Sequence, residues 1–309
     1  MALLLTLPST PTSLALPAAL GLSAALMALA GCSSTPEEAS PSPSIEATPT
    51  PFPSERAFEV QFEAQVGDEP FACDTSYPNM GTSASTFTPM DFRVYISELV
   101  LLDASGIEHP VSLTQDGAWQ YQDVALLDFE DASGTCTGTA ETNTRIQGVT
   151  AGGDYTGIRF TVGVPFALNH LDASTAPSPL NVTSMFWSWN SGYRFLRLDG
   201  ASTGQTAGFA VHVGSTECEK NAEGTVTSCA NPNRAEITLS GFDPLSTPIV
   251  VDIAALFSEL DIDTNTSGSA ALCMSTADDP ECWPVFESLG LPFDDSPANP
   301  SAQTVFRVE

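Results

Sequence analysis

The stretch MFWSWN, residues 185–190, sets two indoles one residue apart, with a thioether two residues ahead of the first. Read as a strand, it projects Met185, Trp187 and Trp189 from one face and Phe186 and Ser188 from the other. An aromatic face packed on a core accounts for that pattern by itself. Indole is a poor metal ligand, because its nitrogen carries a donor N–H and offers no lone pair. A thioether with imidazoles is a different set, suited to copper and to Cu(I) in particular. The chain has three histidines. His109, in GIEHP, lies between a turn and a proline and reads as exposed. His170 closes VGVPFALNH and opens a loop that runs to the tryptophan stretch. His212 alternates with Phe209, Val211 and Val213 and so faces away from them. Taken singly, each reads as a surface histidine or as a hydrogen-bonded core one.

Other chemistries find little support. The chain contains no G-x-S-x-G elbow, P-loop, dinucleotide fingerprint or H-E-x-x-H helix. The segment DIDTN, 261–265, starts like a calcium loop. It has Thr266 where glycine is needed and Leu272 where a bidentate glutamate should stand.

The elements that must position these residues read as strands. Phe58, Val60, Phe62, Ala64 and Val66 alternate with polar neighbours, and the same period of two recurs around Phe92–Ile96, Ile158–Val162, Phe209–Val213, Ala235–Leu239 and Val305–Val308. Turn clusters such as DASG and AGGD separate them. Helical signals are confined to VVDIAALFSEL at 250–260 and CWPVFESLG at 282–290, the latter ending on a glycine suited to a C-cap. The expected fold is all-β, a β-sandwich with short helical segments near the C-terminus.

Residues 1–31 carry no charged residue and end in LAG before Cys32, the pattern of a lipoprotein signal peptide with Cys32 as the lipidated first residue. No Lys or Arg precedes the apolar run, a departure from such signals. Residues 32–55 are dominated by Ser, Thr, Pro, Glu and Ala and read as a disordered tether. Residues 56–309 then form a single domain. Ser33 and Ser34 after the anchor suggest an outer-membrane lipoprotein of the bacterial envelope, facing the periplasm or the cell surface. The net charge of −29 argues against nucleic acid, since phosphates need a basic patch. Seven cysteines become six once Cys32 is set aside, an even number in an exported chain. Proximity favours Cys218–Cys229 and Cys273–Cys282, which leaves Cys73–Cys136. A zinc site is the competitor, but no C-x-x-C pair is present.

Several segments together have a familiar look: VGVPFALNH (162–170), PLN (179–181), MFWSWNSGYRFLRLD (185–199), HVGSTEC (212–218) and CMS (273–275). DFRVYISELVLLD (91–103), WQ (119–120) and ALLDFED (125–131) belong with them. The combination of W-x-W-x-x-G-Y-[KR]-F with a downstream H-x-G-S-x-x-C resembles the MbnP family of copper-binding proteins, across nearly all of 57–309. The resemblance implies a β-sandwich and a partner, the di-haem MauG-like protein MbnH, of the cytochrome c peroxidase type. That partner oxidises the first tryptophan of the motif, here Trp187, to kynurenine, on which copper binding depends. Opening the indole leaves an aryl amine with a free lone pair. His170 and His212 are then the expected imidazole ligands of one copper ion, Met185 a tentative further ligand and Met274 a weaker one. Trp189 is either a relay for the electron hole or packing. The implied role is binding for copper storage, delivery or sequestration, without catalysis by this chain. The alternative is a lipid-anchored module that binds glycan or protein through an aromatic face without metal.

Overall fold

The structure, a computed structural model, describes residues 54–188, 190 and 192–309. The signal peptide, Cys32, Trp189 and all of the tether but Ser54 and Glu55 lie outside the described residues. In chain order the strands are β1 (Glu55–Val66), β2 (Glu69–Pro70), β3 (Tyr77–Met80), β4 (Ser85–Leu102), β5 (Glu108–Leu113), β6 (Gln120–Tyr121), β7 (Val124–Asp128), β8 (Arg145–Ala151) and β9 (Gly157–Val162). Helix α1 (Phe166–Asn169) follows, then β10 (Phe186–Trp187), β11 (Gly192–Tyr193), β12 (Leu196–Ala201), β13 (Phe209–Val213), β14 (Thr216–Lys220), β15 (Val226–Asn231) and β16 (Ala235–Ser240). The chain closes with β17 (Ile249–Asp252), α2 (Ile253–Phe257), β18 (Leu272–Cys273), α3 (Cys282–Ser288) and β19 (Phe306–Val308).

Most of these strands join one large curled sheet, in the order β18-β13-β12-β4-β5-β8-β1-β17-β19, with β7 and β9 also paired to β4 and β16 to β9. The all-β, sandwich-like expectation holds. Alternation specifies β1 because one side is buried: Phe58, Val60 and Phe62 lie in the core. Phe62 meets Phe160 of β9 edge-on at 5.7 Å, and Phe160 meets Phe306 of β19 at 5.3 Å, so facing portions of the sheet interdigitate. The C-terminal helical signals shrink to α2 and α3, since Ile249–Asp252 is used as a strand paired in parallel with β1. Asp252 caps α2, its side chain accepting from the Ala254 and Ala255 amides.

The long strand β4 carries the architecture. Its first half pairs with β12 on one side and β7 on the other, and its second half pairs with β9 and β5. Between Ser97 and Val100 the register against β9 slips by one residue, and Glu98 there has φ 54°. That is a β-bulge, which bends the strand and re-aims the residues beyond it.

Disulfides join Cys73 to Cys136, Cys218 to Cys229 across the β14–β15 hairpin, and Cys273 to Cys282, which ties β18 to α3. No helix among the described residues is long and apolar enough to cross a membrane.

Candidate metal centre

The tryptophan stretch is not one continuous strand. Thr183–Met185 form a 3-10 turn, Phe186 and Trp187 form β10, and the chain then reverses through a turn closed by the Asn190 amide on the Trp187 carbonyl, 3.2 Å. β11 returns, with Phe186 opposite Tyr193 and Trp187 opposite Gly192. Asn190 in WNSGY is the turn residue, of a type that suits one. Met185 therefore does not share a strand face with Trp187. It is fully buried in the hydrophobic core, and the geometric ground for its candidacy as a ligand is lost.

Trp187 is buried, and its ring lies over the β13 end of the sheet. A Cβ on Gly214 would come within 2.5 Å of the Trp187 six-membered ring and 2.7 Å of the Tyr193 carbonyl. Glycine is thus the residue that lets the indole seat. Gly214→Ala is expected to displace the ring, shifting its indole N–H resonance and costing about 1–3 kcal/mol in denaturant unfolding. An unmoved resonance would show that the hairpin yields instead.

His212 sits against this indole, ring centroids 6.2 Å apart. The alternation of β13 does turn it away from Phe209, Val211 and Val213, but not into solvent: it is 5% exposed. Ser184, Trp187 and Arg194 cover that face, with Ser184 taking Arg93 through its hydroxyl. The His212 Nε2–H donates to Asp199 Oδ1 at 2.6 Å, and Arg194 Nε–H donates to His212 Nδ1 at 3.2 Å. These two partners fix a single neutral tautomer. Burial lowers the His212 pKa, against the opposing pull of Asp199. Asp199 is itself pushed up by burial, but the hydrogen bond from His212 and the charge of Arg197 outweigh this and hold it below the usual range.

Asp199 belongs to a buried charged row that sequence reasoning missed. Register places Asp128 (β7), Arg93 (β4), Arg197 (β12) and His212 (β13) side by side, with Asp91 and Asp199 opposite each other two residues along. Arg197 bridges Asp91 at 2.9 Å and Asp199 at 2.6 Å. Arg93, 3% exposed, contacts Asp128 at 3.0 Å and Asp91 at 3.5 Å and pairs with Glu130. Burial pushes Asp128 up to about 7 and Asp91 up to about 6 despite these arginines. Arg93, Arg194 and Arg197 are three of the nine basic residues in the whole chain, gathered at one site.

His170 approaches the hairpin at Gly192, on the face that Trp187 also occupies, since partners across an antiparallel rung project to one side. Pro165 opens α1, and the buried Asn169 anchors its end, accepting from the Tyr193 amide at 2.8 Å and donating to the Ser215 hydroxyl at 3.3 Å. His170 follows as the C-cap. Its Cε1 would lie 3.4 Å from a Cβ on Gly192, the rung partner of Trp187. Its Nε2 stands 3.3 Å from Asn169 Nδ2 and 3.6 Å from Cys229 Sγ. With Cys218 and Cys229 it forms a metal-sized cluster, but those sulfurs are bonded to each other and offer no thiolate. So both histidines border the Trp187–Gly192 rung, one ring to ring with the indole and one where a side chain on Gly192 would project.

Met274 lies between Cys273, which pairs with Val211, and Ser275, whose hydroxyl donates to the His212 carbonyl at 2.9 Å. His109 is elsewhere, hydrogen-bonded to Asp103 at 3.1 Å and edge-on to Tyr155. Asp261 and Asp263 of the calcium-like segment accept backbone amides from Asp263 and Gly204, as turn residues do. The chemistry of the donor set suits a copper ion: a neutral imidazole with a carboxylate behind Nε2 leaves Nδ1 as the coordinating nitrogen.

No curated protein matches the chain. Among solved structures it is similar to MbnP from Methylosinus trichosporium, at 31% identity and a TM-score of 0.73, covering 82% of this chain and 98% of that one. The model of the MbnP family matches residues 55–275, which include the tryptophan hairpin, His170, His212, Asp199 and Arg194. The chain belongs to the MbnP family.

Proposed function

We propose that this protein binds one copper ion in the bacterial cell envelope, at a site built on the Trp187 hairpin. The ligands are His212, His170 and the aryl amine of a kynurenine made from Trp187 by a di-haem partner enzyme of the MbnH type. The observation that carries this reading is His212: neutral, its Nε2–H committed to Asp199, and its ring against Trp187. The bound copper would be Cu(I), which imidazole and amine nitrogens accommodate. The chain itself is a carrier that stores, delivers or sequesters the ion, not an enzyme, and Cys32 anchors it to the outer membrane. Whether the copper comes from a methanobactin system is a question of partners. The aromatic-platform alternative is weakened by burial, because Trp187 is 2% exposed and presents no open face.

The test is peptide mass mapping and copper stoichiometry on protein made with and without the di-haem partner. Trp187 is expected as kynurenine only in the co-expressed sample, with one copper per chain only there. Unmodified Trp187 with copper fully bound would sink the kynurenine ligand. His212→Ala and His170→Ala are each expected to abolish stoichiometric copper, and unchanged binding in both would remove the assignment.

A further inference from the structure

The contacts of Arg194 bear directly on how the site could load. Its guanidinium lies 5.8 Å above the Trp187 ring, its Nη1 donates to the Phe186 carbonyl at 3.3 Å and to the Ser184 carbonyl, and its Nε–H donates to His212 Nδ1. The His212 Nε2–H is spent on Asp199, so Nδ1 carries the one lone pair the imidazole can offer. Arg194 occupies that lone pair. A cation and a guanidinium cannot share it, since an N–H and a metal compete for the same electrons and their charges repel.

The hold on Arg194 is of a releasable kind. Arg93 and Arg197 take the carboxylates of Asp91, Asp128, Glu130 and Asp199. Among the described residues no carboxylate lies within ion-pair distance of Arg194, whose acceptors are two carbonyls, an imidazole and a π face.

We infer that Arg194 is a built-in placeholder for the metal: its guanidinium fills the cation position beside His212 in the metal-free protein, and copper loading requires its withdrawal. Arg194 thereby sets loading rate and selectivity, admitting ions that bind the imidazole strongly enough to displace it. Trp187 contributes one wall of the seat, so opening the indole also loosens the stopper. This inference rests on the copper reading above.

Two measurements test it. In the wild-type protein made with the di-haem partner, the Arg194 Nε–H is expected to exchange slowly when metal-free and at least about tenfold faster once Cu(I) is bound, as the loss of a charge-assisted hydrogen bond implies. In Arg194→Met and Arg194→Gln, Cu(I) association by stopped flow is expected to quicken by roughly tenfold or more, because the competing occupied state is gone. An Nε–H equally protected with and without copper overturns the placeholder, as does an unchanged association rate in both variants. If His212→Ala still binds copper, the failure belongs to the ligand assignment. If His212→Ala loses copper while Arg194 proves indifferent, only the placeholder fails. The wild-type exchange experiment needs no variant to fold.

Discussion

Arg93→Met is expected to lower the stability of the domain by about 3–5 kcal/mol, the cost of removing one partner from a buried ion cluster. The midpoint of thermal unfolding should fall by roughly 10 °C. Arg93 is the hub between Asp91, Asp128 and Glu130, and its remaining nitrogen donates to the Ser184 hydroxyl at 2.8 Å. Methionine fills the volume but leaves these carboxylates facing each other out of water. Arg93→Lys should recover part of the loss, since one ammonium cannot span acceptors that a planar guanidinium reaches on three sides. The pH dependence gives a second reading. Asp91 and Asp128 have folded pKa values raised above the ordinary 3.8, to about 6 and about 7, so ionising them opposes folding. The native state holds their protons more tightly, and stability falls as pH rises from about 4 through these values. Without Arg93 both rise further, so the deficit relative to wild type should be widest at and above neutral pH and narrow as pH falls toward 4. A deficit constant across that range would mean that the loss is one of packing, not of charge.

Asp199→Asn is expected to weaken copper binding by about 10–100-fold, the usual consequence of losing the carboxylate behind a metal-binding histidine. Asp199 serves two partners, accepting His212 Nε2–H on Oδ1 and Arg197 on Oδ2, from Nε at 2.9 Å and Nη2 at 2.6 Å. An amide has one oxygen for these two donors. Turned toward His212, it aims its NH2 at the guanidinium. Turned toward Arg197, it aims its NH2 at the imidazole, which then moves its proton to Nδ1 and loses the coordinating lone pair. Nitrogen NMR of His212 distinguishes the two, and titration with a competing Cu(I) chelator gives the affinity. An unaltered affinity would show that packing against Trp187 orients the ring unaided.

The strands were legible wherever one face is buried and the other wet, as in β1 and β16, because period-two alternation is then enforced by solvent. At His212 it turned the ring away from Phe209, Val211 and Val213, as observed, but left surface and hydrogen-bonded core both open. Alternation assigns a side chain to a face of the sheet but does not say what covers that face. The covering residues, Ser184, Trp187 and Arg194, lie over the Arg93–Arg197–His212 row through contacts that no local pattern records. Nothing local in DFRVYI or LRLD therefore marks Arg93 or Asp199 as members of that row. The misreading of MFWSWN has a different cause: aromatic residues favour strands, but only Phe186 and Trp187 keep strand geometry, and the chain turns at Ser188 and Asn190. Gly214 and Ser215, by contrast, stood in a recognised motif, and the structure supplies their reasons. Gly214 makes room for the indole, and Ser215 receives Asn169 and donates to the Pro232 carbonyl at 2.8 Å.

The bulge at Glu98 bears on how this fold changes length over generations. β4 holds one residue more than β9 between Ser97 and Val100, so the two halves of the strand keep separate registers. An insertion or deletion at 98–99 alters a count that is already irregular and moves only the distal half against β5 and β9. The same event between Asp91 and Ile96 would carry Arg93 to the opposite face and part it from Asp128 and Arg197 in one step. Length variation among descendants of this chain should accordingly collect at the bulge and spare the six residues before it, which leaves the bulge as an inherited joint that lets one end of the curled sheet drift while the other stays fixed.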